Sequence, residues 1–262
     1  MEKQSLRIIA GNCILEDYET TEQTVEFLKQ KAIEYNFDLV YKSSWKKDNR
    51  SSADSYKGKG VSAAYDLFSH IKEKYHVPIL TDFHHPEELR SKLVDVVDVL
   101  QLPAYLCMQT ELTTAMAQIG KPINVKKGQF LHPLDVKHIV NKIKGINSNA
   151  EIWLTERGSC FGYRDLVVDP RSIHTLKSFQ LPVFVDVGHA IRRYGISSND
   201  LKLGGMKLFI PTLARVAAAL HCGIFVEVHP NPKEAMCDAA TQLSFKEFEN
   251  MMVNVCDLIS GC

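Results

Sequence analysis

Eight short apolar runs alternate with longer stretches of helical spacing, and this alternation constrains the fold more than any other feature of the chain. The runs cover 6–10, 39–43, 77–81, 97–102, 123–126, 152–155, 183–187 and 224–228. Each is nearly continuous in apolar residues, as a strand buried on both faces requires. Parallel neighbours need crossovers of a dozen or more residues, and the intervening stretches supply helices of that length. The first, from Thr20, carries a capping-box signature with Gln23 and then places Val25, Leu28 and Ala32 on one face. The second repeats the logic with Val61, Ala64, Leu67, Phe68 and Ile71. Further helices are predicted near Pro86, Pro133, Pro170 and Pro211, since proline suits a first turn, within 109–118, and after Ser244 as a cap. Eight strand-helix repeats without a break in composition predict an α/β fold, a (β/α)8 TIM barrel with residues 1–262 in one domain.

In such a barrel the functional groups gather where the strands stop. Here Asn12 and Cys13 follow the first run, and Lys42 opens a basic stretch containing Ser44, Trp45, Lys46, Lys47, Asn49, Arg50 and Ser51 after the second. Asp82, His84 and His85 end the third, Gln101 lies in the fourth, and Asn124, Lys126 and Lys127 end the fifth. Glu156 and Arg157, Asp186 and His189, and Glu227 and His229 end the last three. A lysine-rich loop by itself reads as solvated surface, but solvated charge does not select strand ends. Lys42, Lys47, Arg50, Lys126 and Arg157 converge on one mouth, and so many like charges call for at least two bound anionic groups. Alternation along the chain sends Lys46 and Lys127 away from that mouth, towards solvent.

A second group holds metal-ligand types: Cys13, His189, Glu227 and Asp238, from strands one, seven and eight and the loop beyond, which are contiguous in a closed barrel. The donors suit a borderline divalent ion such as Zn²⁺, Fe²⁺ or Mn²⁺. With no compact CxxC motif, spacing leaves a second reading open, a buried thiol beside an ordinary core histidine. His70, His76, His138, His174 and His221 fall in helices or turns, and Trp45, Trp153, Cys107 and Cys160 read as packing residues.

Lys plus Arg and Asp plus Glu balance at 31 each, so no global field draws the chain to nucleic acid or membrane. The cysteines, at 13, 107, 160, 222, 237, 256 and 262, show no paired spacing, which predicts a reducing, cytoplasmic setting. No apolar stretch is long enough to span a bilayer, and the first residues lack a signal-peptide pattern.

Several motifs in fixed order carry a resemblance over nearly the whole chain. They are the basic stretch at 42–52 with Ser55-Tyr-Lys-Gly58, Thr81-Asp82, Gln101-Leu-Pro-Ala104, Asn124-Val-Lys-Lys-Gly-Gln129-Phe130, Glu156-Arg-Gly158, Phe161-Gly-Tyr163, Leu166-Val-Val-Asp169 and Glu227-Val-His-Pro230. Together they resemble the 3-deoxy-D-manno-octulosonate 8-phosphate synthases, also called 2-dehydro-3-deoxyphosphooctonate aldolases. These catalytic barrels condense phosphoenolpyruvate with D-arabinose 5-phosphate and water. The resemblance implies that Lys42, Lys47, Lys126 and Arg157 hold the phosphoenolpyruvate carboxylate and phosphate, with Gln101 and Ser44 nearby. It assigns the sugar phosphate to Asn49, Arg50 and Ser51, and sets Lys47, Asp82, Cys13 and His189 at the reacting centre.

The related 3-deoxy-D-arabino-heptulosonate 7-phosphate synthases, which use erythrose 4-phosphate, typically carry Lys-Pro-Arg-Thr where this chain has Asp48-Asn-Arg-Ser51. A cysteine at the end of strand one marks the metal-requiring branch, so the resemblance implies a divalent ion (Zn, Fe, Mn or Co) on Cys13, His189, Glu227 and Asp238. Asn12 replaces the proline common before that cysteine, Lys207 stands where many relatives have arginine, and the 190–203 loop differs from many of theirs. The family also implies a homotetramer. A ligand-binding barrel without turnover is the alternative of a different class, the outcome if the altered loop prevents closure.

Overall fold

The structure, a computed structural model, describes residues 5–48, 56–163 and 165–260. Eight parallel strands close into a barrel: β1 (Leu6–Gly11), β2 (Phe37–Lys42), β3 (Ile79–Asp82), β4 (Val99–Leu102), β5 (Ile123–Lys126), β6 (Ile152–Glu156), β9 (Val183–Asp186) and β10 (Gly223–Glu227). Their order around the ring is β1-β10-β9-β6-β5-β4-β3-β2, with Ile8 opposite Ile224 at the closing seam. An antiparallel hairpin, β7 (Ser159–Tyr163) and β8 (Asp165–Val167), stands outside the ring after β6. The predicted (β/α)8 barrel is thus present, and the hairpin is an addition the apolar runs did not announce.

The helices are α1 (Tyr18–Glu34), α2 (Val61–Tyr75), α3 (Leu93–Val96), α4 (Thr110–Ile119), α5 (Val136–Ile146), α6 (Pro170–Lys177), α7 (Ile210–Ala219) and α8 (Phe245–Ser260). Among the described residues, no helix is long and apolar enough to cross a membrane. Two helix starts differ from expectation. Asp17, not Thr20, caps α1, because its carboxylate accepts from Thr20 N at 2.7 Å, while Gln23 bonds Glu19 instead. The helix predicted at Pro86 is a 3-10 turn, Pro86–Arg90, before the single turn of α3. Ser244 does cap α8, exchanging hydrogen bonds with Glu247 through the capping-box pattern.

Two apolar layers hold this frame. Between strands and helices lies the larger, which includes Val25, Leu28, Phe68, Ile71, Leu112, Ile139, Ile173 and Phe248, all fully buried or nearly so. Inside the barrel a separate plug forms from Ile9, Val40, Leu80, Val99, Trp153, Phe184 and Phe225. Strand side chains repeat every second residue on the same face, so the residue two places beyond each plug residue also faces inward, one layer higher. Those residues are Gly11, Lys42, Asp82, Gln101, Thr155, Asp186 and Glu227. Water is excluded below by the plug, and polar chemistry is confined to the layer above it.

Candidate active site

The pocket at the C-terminal mouth is lined by Lys42, Lys47, Asp82, Gln101, Lys126, Arg157, His189, Arg192 and Asp238, among others. Lys42, Lys47, Lys126 and Arg157, predicted to converge, do so, and all are buried, as is Ser44. Asn49, Arg50 and Ser51, predicted for the sugar phosphate, lie outside the described residues.

Local folding aims each group. Trp45 ties the turn after β2 to the end of β3 by donating its backbone N–H to Thr81 Oγ1 and its indole N–H to the Asp82 carbonyl at 3.0 Å. Lys42 Nζ then reaches Ser44 Oγ at 3.1 Å and the Cys13 carbonyl at 3.2 Å. A side-chain relay, Thr155 to Asn124 to Gln101, fixes the glutamine amide: Thr155 donates to Asn124 at 2.6 Å, and Asn124 donates to Gln101 at 3.2 Å. Lys127 corrects an expectation. It points away from the mouth as predicted, yet it is buried rather than exposed, 3.3 Å from Glu156 and within reach of the Gly128 carbonyl and Ser159. The hairpin and α6 cover it, since Glu156 also accepts from Gly158 N and Ser172 Oγ. Lys46 is half-buried between Asp48 and Glu88 rather than free in solvent. Trp45 and Trp153 pack as expected, but Cys160 is exposed.

Cys13, His189, Glu227 and Asp238, predicted as one ligand set, divide between two groups that share Asp238. The donor atoms of His189, Glu227 and Asp238 lie within 4.8 Å of one another, and so do those of Cys13, Cys237 and Asp238. Asp238 belongs to both groups, held at φ 49, a left-handed conformation that aspartate tolerates better than most residues. Gln242 clamps the strand-one end to this loop, accepting from Cys13 N at 3.1 Å and donating to the Cys237 carbonyl at 2.9 Å. Glu16 holds the same loop from beneath, accepting from Met236 N and lying 3.3 Å from His229 Nε2. Asn12 turns the other way, to Thr24 and Tyr41, so Cys13 is the strand-one residue that faces the cluster.

Buried polar atoms here are unsatisfied in a way that suits a cation: among the described residues, Glu227 Oε2 and Asp238 Oδ1 have no hydrogen-bond partner. Burial without partners is costly for such groups, and a divalent ion offsets that cost. Thiol, imidazole and carboxylates together fit a borderline metal.

Electrostatics divide the pocket. Burial pushes the Cys13 thiol well above its ordinary value, with Cys237 beside it adding to the shift. Burial also raises carboxylates, but His84, Lys47 and Lys42 outweigh it for Asp82, which is held at about 2. The same competition, with His189 and Lys42 prevailing, lowers Glu227. Lys126 is pulled down to about 8 by burial, against the opposing pull of Asp186. Among the described residues, buried Arg157 Nε and Arg192 Nε have no hydrogen-bond partner.

Sequence reasoning gave no role to several residues here. Asp186 pairs with both Lys126 and His189, and its inward register two residues beyond Phe184 was the available signal. Cys237, fully buried, lies 2.7 Å from Cys13 through sulfur and adds a fifth potential donor beside Asp238. Arg192 comes from the loop after β9 and approaches Asp238 to 4.0 Å.

A closed barrel whose mouth gathers lysines, an arginine and carboxylates belongs to an established class. The sequence profile of the DAHP synthetase I family matches residues 2–259, and the chain belongs to that family. Its relatives narrow the comparison. A 2-dehydro-3-deoxyphosphooctonate aldolase of Dichelobacter nodosus is 42% identical over 246 residues, 94% of this chain and 87% of that protein. Proteins of the same name from Desulfosudis oleivorans and Caulobacter vibrioides are 41% and 38% identical, covering 94% and 96% of this chain and 88% and 87% of theirs.

Proposed function

We propose that the protein is a transferase that condenses phosphoenolpyruvate with D-arabinose 5-phosphate and water, giving 3-deoxy-D-manno-octulosonate 8-phosphate and inorganic phosphate. The observation that carries this reading is the convergence of buried Lys42, Lys47, Lys126 and Arg157 on one mouth, in a chain about 40% identical over most of its length to proteins named for that product.

The methylene carbon of phosphoenolpyruvate attacks the sugar aldehyde, water adds to the adjacent carbon, and the resulting phosphate-bearing hemiketal expels inorganic phosphate. Both substrates are anions, so bringing their carbons together requires fixed cations; such positioning is worth on the order of 7 kcal/mol or more. Lys42, Lys47, Lys126 and Arg157 do this for the carboxylate and phosphate, while Gln101 and Ser44 orient them. Asn49, Arg50 and Ser51 take the sugar phosphate by resemblance. Asp82, ionised at neutral pH, accepts a hydrogen bond from water or a sugar hydroxyl rather than donating one. Cys13, His189, Glu227 and Asp238 would hold a divalent ion, which supplies Lewis-acid polarisation when bound. The metal-requiring branch and a homotetramer are parts of the same proposal, carried by family resemblance, as is residence in the cytoplasm, carried by cysteines without paired spacing.

Phosphate release from phosphoenolpyruvate, measured in parallel with D-arabinose 5-phosphate and D-erythrose 4-phosphate, tests the reading. Turnover is expected with the five-carbon sugar, loss with a strong chelator, and recovery with a divalent ion. Preference for the four-carbon sugar would assign the heptulosonate reaction instead, and no release with either would leave a non-catalytic barrel. Full turnover in the chelator would refute the metal requirement.

A further inference from the structure

Two carboxylates serve both halves of the pocket at once. Glu227 Oε1 lies 3.1 Å from Lys42 Nζ and 3.6 Å from His189 Nε2. Asp186 Oδ2 pairs with Lys126 Nζ and lies 2.9 Å from His189 Nδ1, although the ring N–H does not aim along that line, and Asp186 Oδ1 accepts the His189 backbone N–H at 2.8 Å. Asp186 and Glu227 are 0% and 1% exposed, and Lys42 and Lys126 are 2% and 5% exposed. Solvent screens such pairs little, so each partner's charge is substantially committed. A lysine that balances a carboxylate has less to offer a phosphate, and a carboxylate that balances a lysine has less to offer a cation.

We infer that a divalent cation and phosphoenolpyruvate bind cooperatively, because Glu227 and Asp186 are shared between the ammonium groups of Lys42 and Lys126 and the cation cluster. The inference rests on the metal reading above and assigns that site a regulation of its own. When Glu227 and His189 hold a cation, Lys42 loses its partner and turns to the anion. An imidazole polarised at Nε2 is a stronger donor at Nδ1, so His189 claims more of Asp186 and loosens its hold on Lys126. The cation's own charge acts in the same direction, raising the potential at the mouth. Thermodynamic linkage makes the effect mutual: the anion must tighten the cation by the same factor.

Calorimetric titration of phosphoenolpyruvate alone, into chelator-treated protein and into the same protein reloaded with Zn²⁺ and cleared of excess, measures the coupling without turnover. The expected result is tightening by about 5- to 150-fold on reloading, with an equal shift in Zn²⁺ affinity, read by competition against a chromophoric chelator, when phosphoenolpyruvate is present. In Asp186→Asn the factor should shrink, since Lys126 is no longer held in the metal-free state; an undiminished factor removes Asp186 from the proposal. Affinities equal within about twofold in protein carrying stoichiometric Zn²⁺ overturn the coupling and leave the metal reading intact. A protein that takes up no metal overturns both.

Discussion

Lys126 shows how one buried side chain sets a working range. Burial pulls its ammonium down to about 8, with Asp186 opposing. The charged form, which the proposed contact with phosphate needs, is therefore lost as pH rises through that value, well before an exposed lysine would titrate. The rate constant kcat/KM for phosphoenolpyruvate is expected to be level below pH 8 and to fall about tenfold per pH unit above it. In Lys126→Arg, which stays charged throughout, that limb should move up or vanish; a wild-type profile flat to pH 10 would reject the assignment. For stability the sign is different. The folded state binds fewer protons than the unfolded one between about 8 and 10.5, so the penalty for the buried ammonium is full below that window and fades across it. The inward placement of Lys42 and Glu227 was open to sequence reading because period-two registers carry polar residues past an apolar plug, and that of Lys126 because it ends its strand. The pairing of Lys126 with Asp186 was not, since which ammonium finds which carboxylate depends on distances across the barrel.

At the scale of the element, the junction of β1 and β2 is the tightest part of the site. Gly11 has φ 157, and a Cβ there would come 2.2 Å from the Lys42 carbonyl and 2.7 Å from the Tyr41 ring. Backbone cannot yield as a flexible side chain does, so Gly11→Ala should cost about 3 kcal/mol. A drop in the urea midpoint at unchanged slope would register it, accompanied by weaker phosphoenolpyruvate binding as Lys42 shifts; an unmoved midpoint would contradict the packing argument. All eight barrel strands were legible from apolar runs, though most of their ends were off by one or two residues; β3 and β4 start two residues later than the runs because Asp98 and Ile79 exchange hydrogen bonds ahead of the ladder. The hairpin β7-β8 was not legible. Ser159-Cys160-Phe161-Gly162-Tyr163 is mixed in polarity, and its pairing is decided by the covering of Lys127 and Glu156 rather than by an apolar period. The α1 start was misread because Asp17 and Thr20 are both good caps and only geometry chooses between them.

Across the whole molecule, each strand of the ring has a hydrogen-bonded neighbour on both sides. Strands so flanked open only when a large part of the fold opens with them. Hydrogen exchange should therefore show β1 and β10 as slow as β4 and β5, with the β7-β8 hairpin exchanging first; early loss of protection at β1 and β10 would mean the seam is weak. The same closure governs birth of the protein. On the ribosome β1 emerges long before its partner β10, with the six other barrel strands made in between, so a nascent chain carries two open sheet edges until β10 is made. Such edges invite association with other chains, which makes the interval before Gly223–Glu227 appears the time when this fold most needs chaperone cover.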